Sequence, residues 1–214
     1  MRSSLSLSAD TSARTASGTG AVRVASIQGP TDPRTEEDSL VRRAQKGDRD
    51  AFAALVEAYW DRLYRWLYQL SRDRHTAEDL AQEAFLKALA HLDRFQAGTN
   101  FGAWLFRIAH NAFANQCRSP ARRREPLPDD LPQRDGGPVE EALSREALQT
   151  LIRAMARLPV EFRAALLLRV EEDLSFKQIA EVLDLTEETA RWRVFKARQK
   201  LLEMLAARQE LEKP

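Results

Sequence analysis

Between Arg118 and Pro138 the sequence places Pro120, Pro126, Pro128, Pro132 and Pro138 together with Gly136 and Gly137. No long helix or central strand can cross such a run of breakers, so the chain of 214 residues is divided into two parts. Each part repeats its apolar residues at helical spacing. In the first, Asp48 is placed to cap a helix with Phe52, Leu55, Val56, Tyr59, Leu63, Leu67 and Leu70 on its apolar face, and Gly47 ends a short helix beginning near Glu36. Thr76, followed three residues later by Asp79, predicts a capping-box-like start for a helix carrying Ala81, Ala84, Phe85, Ala88 and Leu92 inward. Asn100 predicts the cap of a third, whose buried face is Phe101, Trp104, Leu105, Ile108, Ala109, Ala112 and Phe113, with Arg107, Asn111, Asn115 and Arg118 on the other side.

The second part begins near Val139 with Leu143, Leu148, Leu151, Ile152, Met155 and Leu158 in helical register, and Pro159 opens a helix through Phe162, Leu166 and Val170. Ser175 and Gln178 form a capping box for a helix with Ile179, Ala180 and Leu183 inward. Asp184, Leu185 and Thr186 then lead to a last helix with Ala190, Val194, Ala197 and Leu201 inward. Two helices joined by so tight a connection make a helix-turn-helix. The expected fold is all-α: a disordered tail over 1–35, helical domains over 36–118 and 139–208, a flexible linker over 119–138 and a C-terminal tail over 209–214.

Hydrophobic residues make up 43% and charged residues 30% of the chain, which fits soluble globular domains. The formal charge is only +1, so a nucleic-acid case must rest on local clusters. From Glu187 to Arg208 six basic residues (Arg191, Arg193, Lys196, Arg198, Lys200, Arg208) oppose Glu187, Glu188 and Glu203, a net of +3 that suits phosphate backbones and guanine edges. Asn111 and Asn115, with Arg107 nearby, could contact unstacked bases, although two solvent-facing amides is the simpler reading; Trp104 reads as core before it reads as a stacking platform. Asp79, Gln82 and Glu83 cluster near a helix start, which capping alone would explain for Asp79. No nucleophile, histidine or glycine-rich loop converges on them, and His75, His91 and His110 form no metal pattern with the lone Cys117, itself expected to be a small buried hydrophobe. No catalytic site, cofactor, metal or small-molecule substrate is expected. The longest apolar run, Ala164 to Leu168, is too short to span a bilayer, no secretion signal is recognisable, and a cytoplasmic protein without membrane insertion is expected.

The stretch Ala77-Glu78-Asp79-Leu80-Ala81-Gln82-Glu83-Ala84-Phe85-Leu86-Lys87-Ala88 resembles the polymerase-binding helix of region two of sigma factors, and Trp104-Leu105-Phe106-Arg107-Ile108-Ala109-His110-Asn111 resembles the promoter-melting helix that follows it. Ile179 to Leu183, Thr189 and the basic tail are similar to sigma region four. With no room for a folded region three, the architecture resembles the extracytoplasmic-function group. The resemblance implies a non-enzymatic subunit that binds core RNA polymerase and promoter DNA, and an anti-sigma factor as a further partner. It implies that Asp79, Leu80, Gln82, Glu83 and Phe85 face the polymerase clamp, and that Trp104, Arg107, Asn111 and Asn115 form the minus-ten surface. It assigns Glu188, Thr189, Arg191, Trp192, Arg193 and Lys196 to the minus-thirty-five element. Asp184 stands where the family turn usually has Gly, and Trp192 where it more often has a small polar residue. Within the linker, the stretch Glu125 to Asp135 holds Glu125, Asp129, Asp130 and Asp135 against Arg134, a net of −3, and the resemblance implies that the linker lies on the path of nascent RNA. The alternative class is a stand-alone helix-turn-helix regulator that binds duplex DNA as a dimer.

Overall fold

The computed structural model describes residues 33–118 and 140–211; the linker, with its acidic residues, and the first 32 residues of the expected tail lie outside them. Among the described residues the chain forms α1 (Pro33–Gln45), α2 (Arg49–Ser71), α3 (Arg74–Ala90), a 3-10 turn (Leu92–Arg94), α4 (Phe101–Arg118), α5 (Glu140–Arg157), α6 (Val160–Val170), α7 (Phe176–Leu183) and α8 (Glu187–Leu211). The only extended pairing in the described part is an isolated bridge, Ala97 to Thr99. Helix α1 already begins at Pro33, where a missing N–H costs nothing in a first turn, and α8 runs past Arg208 to Leu211.

In the first module the Asp48 carboxylate accepts from the N–H groups of Asp50 (3.0 Å) and Ala51 (3.1 Å), closing the exposed start of α2. Gly47, at φ +88°, makes the turn before it. The cap of α3 is Asp73 rather than Thr76: the Asp73 carboxylate accepts from the Thr76 N–H at 2.7 Å. A carboxylate is the stronger cap, so the helix starts one turn earlier and Asp79 lies in its second turn, away from the helix end. Asn100 caps α4 as expected, accepting from the Ala103 N–H at 2.7 Å. The core is built from Trp66, Phe101, Phe106, Leu55, Leu63, Leu67 and Leu105. Gly102 sits where a Cβ would come within 2.9 Å of the Tyr59 ring, so its lack of a side chain lets α4 close onto α2.

The second module is thinner. Helix α5 packs chiefly on α8 and buries Ala154 and, just beyond its end, Leu158, while Leu148 and Leu151 stay exposed, against the expected register. A helix with one neighbour covers only one narrow stripe. Val170, the last residue of α6, is likewise exposed. Arg163 is buried and its guanidinium donates to the carbonyls of Met155 (3.2 Å), Ala156 (2.9 Å) and Leu158 (3.3 Å), sealing the C-terminal end of α5 where a positive charge is favoured.

The Ser175 capping box is complete: the Ser175 hydroxyl accepts from the Gln178 N–H (3.2 Å) and the Gln178 side chain from the Ser175 N–H (2.8 Å). Asp184 adopts the left-handed conformation (φ 55°, ψ 56°) that the turn demands, and the Leu185 N–H bonds the Ala180 carbonyl at 2.9 Å. Ala190, Val194, Ala197 and Leu201 are all buried. The two modules touch where α2 meets α6 and α4 meets α7. Arg62 of α2 forms an ion pair with Glu172, whose side chain is only 3% exposed, and the Trp66 indole N–H reaches the Ala164 carbonyl at 3.5 Å.

Candidate functional site

The candidate residues fall on three surfaces. On α3, Asp79, Gln82 and Glu83 are exposed and, with Leu86, follow the three- and four-residue steps of a single helical stripe. Lys87 forms an ion pair with Glu83 at 2.6 Å. Leu80 and Phe85 do not belong to this surface. They are 3% and 6% exposed, and Phe85 stacks on Trp60 with ring centres 5.9 Å apart, so their part is to fix α3 onto α2. Leu86, 69% exposed, was missed; its spacing from Glu83 and from the buried stripe Ala77, Ala81, Ala84 and Ala88 is the signal that places it outside.

On α4, Arg107, Asn111 and Asn115 are exposed in one line along the helix. Trp104 begins that line one turn earlier and is half-buried, packed on Phe95 (5.0 Å) and Phe101 (5.7 Å). It thus serves the core with one face and borders, with the other, a cleft of about 520 Å³ that also meets Arg94, Gln96, Arg107 and Lys177. Amide groups that both donate and accept, a cation and an aromatic face are the groups that hold an unstacked base and its phosphate.

On α8, Thr189 is tied to the turn: its N–H bonds the Thr186 hydroxyl at 3.2 Å and the two hydroxyls lie 2.8 Å apart. Glu188 is exposed. Arg191 is oriented twice, by Glu187 (3.0 Å) and by the Phe176 ring, 4.8 Å beneath its guanidinium. Lys196 bonds the Gln199 carboxamide at 3.0 Å. Trp192 is half-exposed and meets the edge of Phe162 at 5.5 Å. Arg193 is partly buried on α8, and its charge is felt by His110 of α4. Burial, reinforced by the Arg193 charge and opposed by Asp184, holds the His110 imidazole below its ordinary pKa. The structure therefore brings Glu188, Arg191, Trp192 and Lys196 to one side of α8, with Arg193 partly buried beside them.

Cys117 is exposed, contrary to expectation, because it lies in the last turn of α4 beyond the packed stripe. Among the described residues no group of His, Cys, Asp and Glu could hold a metal ion, and no helix is long and apolar enough to cross a membrane.

A family model described as Sigma-70 region 2 matches residues 55–124, and one described as Sigma-70, region 4 matches residues 148–201. The chain is 34% identical over 177 residues to the RNA polymerase sigma-H factor of Pseudomonas aeruginosa, which covers 77% of this chain and 91% of that protein. It is 35% identical over 173 residues to the ECF RNA polymerase sigma-E factor of Escherichia coli strain K12, covering 75% and 89% respectively. Among solved structures, the sigma factor RpoE of Bartonella quintana, crystallised with the anti-sigma factor NepR, matches with a TM-score of 0.62 and 28% identity over 72% of this chain and 96% of that one.

Proposed function

The chain belongs to the extracytoplasmic-function sigma factors, and from that premise we propose that it binds core RNA polymerase and directs it to particular promoters. The observation that supports this best is the separation of tasks over three helices. The α3 stripe is acidic and amide-rich with an apolar residue beside it, a surface suited to a protein partner. The α4 line offers carboxamides and Arg107 to bases that have left the stack, and α8 offers cations to closed duplex.

In this reading Asp79, Gln82 and Glu83, joined by Leu86, contact the polymerase clamp, with Leu80 and Phe85 holding that surface in place. Trp104, Arg107, Asn111 and Asn115 engage the minus-ten element, and Glu188, Thr189, Arg191, Trp192 and Lys196 the minus-thirty-five element. Arg193 belongs to the same minus-thirty-five surface. The protein acts without catalysing a reaction of its own, in the cytoplasm where the polymerase is, and an anti-sigma factor is its regulatory partner. A dimeric regulator is not favoured, since the relatives named as sigma factors align across both modules.

Charge reversal of the α3 stripe (Asp79→Lys with Glu83→Lys) tests the reading. Affinity for core polymerase should fall at least tenfold while circular dichroism stays helical; unchanged affinity would remove α3 from the polymerase interface. On promoter DNA, Asn111→Ala with Asn115→Ala should impair strand opening, and a pre-melted bubble should restore part of it in permanganate footprints. If the bubble restores nothing, those amides have no part in opening.

A further inference from the structure

The cleft of about 520 Å³ beside Trp104 is walled by both modules. The first supplies Arg94 from the 3-10 turn and Trp104 and Arg107 from α4, and the second supplies Lys177 and Glu181 from α7. Three cations therefore meet a single carboxylate. Among the described residues the side chains of Arg94, Arg107 and Lys177 have no hydrogen-bond or ion-pair partner, so like charges are gathered from two modules without being neutralised. An anion in the cleft removes that repulsion. The first turn of α7 lines the same space, and the amino end of a helix also favours negative charge. Phosphate alone has no use for the fourth wall, the Trp104 ring, which Phe95 (5.0 Å) and Phe101 (5.7 Å) hold in place. A fixed indole beside cations suits a flat ring that carries phosphates, and the volume lies within the roughly 300–1,000 Å³ of small-molecule sites.

We propose that this cleft binds a free nucleoside polyphosphate, whose base stacks on Trp104 and whose phosphates are shared by Arg94, Arg107 and Lys177, so that the ligand ties the two modules together. A free nucleotide is favoured over a promoter strand because Lys177 belongs to the second module. This step rests on the reading of the modules as minus-ten and minus-thirty-five binders: at a promoter they take elements set apart along the duplex, so a cleft that both must wall belongs to the protein before it engages DNA. The bound nucleotide then covers Trp104 and Arg107 of the minus-ten surface and opposes the parting of the modules.

The test is equilibrium dialysis of the full chain, without polymerase or DNA, against ATP, GTP and inorganic tripolyphosphate. Its failure therefore leaves the promoter reading standing, and failure of that reading shows only in transcription. At least one of the two nucleotides should bind saturably below about 1 mM, one per chain. Tripolyphosphate, which has the charge without the ring, should bind at least fivefold more weakly, and Trp104→Leu should abolish that difference. Arg94→Ala and Lys177→Ala should each weaken nucleotide binding at least fivefold, whereas Arg153→Ala, which removes a cation of α5 outside the cleft, should leave it unchanged. No saturable binding of either nucleotide would overturn the proposal. Tripolyphosphate binding as tightly as nucleotide would overturn the nucleotide class, because the cleft would then be a phosphate site. Full affinity in Lys177→Ala would overturn the bridge between modules, and an equal loss in Arg153→Ala would reduce the binding to diffuse surface charge.

Discussion

His110 is partly buried beside the Trp66 ring of α2, and the charges of Arg193 of α8, Asp184 of the turn before α8 and Arg118 of its own helix act on it. Its pKa is lowered in the fold, so the unfolded chain takes up a proton first as pH falls. Stability is then lost from about pH 6.5 downward until the folded state is protonated as well. Urea titrations between pH 7.5 and 5 should show this loss, and His110→Gln should flatten it; an unchanged slope would assign the pH dependence to other groups. Arg163 is the second residue on which much depends, because three carbonyls converge on its guanidinium. Arg163→Met keeps most of the volume but strands those carbonyls, and should cost about 2–3 kcal/mol in chemical denaturation. A cost below about 0.5 kcal/mol would mean that water replaces the guanidinium. Neither role was legible in the sequence. A charge beside the apolar run Ala164 to Leu168 reads as a boundary, and His110 as one of three scattered histidines, until the fold shows what each faces.

At the scale of elements, capping residues and apolar periodicity were the most legible signals. Asp48, Asn100 and the Ser175 box stand where they were expected, as do the buried stripes of α4 and α8. The start of α3 was misplaced because two capping residues compete within one turn, and the choice between them is an energy difference that spacing does not report. Asp73→Ala should therefore lower stability by about 1 kcal/mol, whereas Thr76→Ala should change it by only a few tenths. The opposite order in thermal unfolding would restore Thr76 as the cap. Leu148, Leu151 and Val170 kept helical register yet remain exposed. Periodicity tells which side of a helix is apolar, and a neighbour to cover that side comes only from the assembly of the fold. The same limit explains Leu80 and Phe85: the motif names them with Asp79 and Glu83, but their side chains lie on the other side of α3.

At the scale of the whole molecule, the two modules are joined by the Arg62–Glu172 pair, the Trp66 contact and the packing of α4 on α7. A compact body of this size has a radius of gyration of roughly 16 Å. Promoter elements centred about 25 base pairs apart are separated by about 85 Å at 3.4 Å per pair. In the proposed reading, the modules part when both elements are engaged. Glu172→Lys sets like charges against Arg62, and small-angle scattering should show a larger radius with unchanged helix content; a radius that stays near 16 Å would show that the ion pair does not hold the modules together. The resemblance in sequence carried the order of the modules, but not their contact, since Arg62 and Glu172 are far apart in the chain and meet only in the fold. The central claim is tested most directly by in vitro transcription of fragmented genomic DNA with core polymerase, with and without this protein, and mapping of the 5′ ends. The account predicts a discrete set of start sites that appears only when the protein is present, each preceded by a shared pair of upstream elements. Identical start sites with and without the protein, together with tight and specific duplex binding by the protein alone, would contradict it.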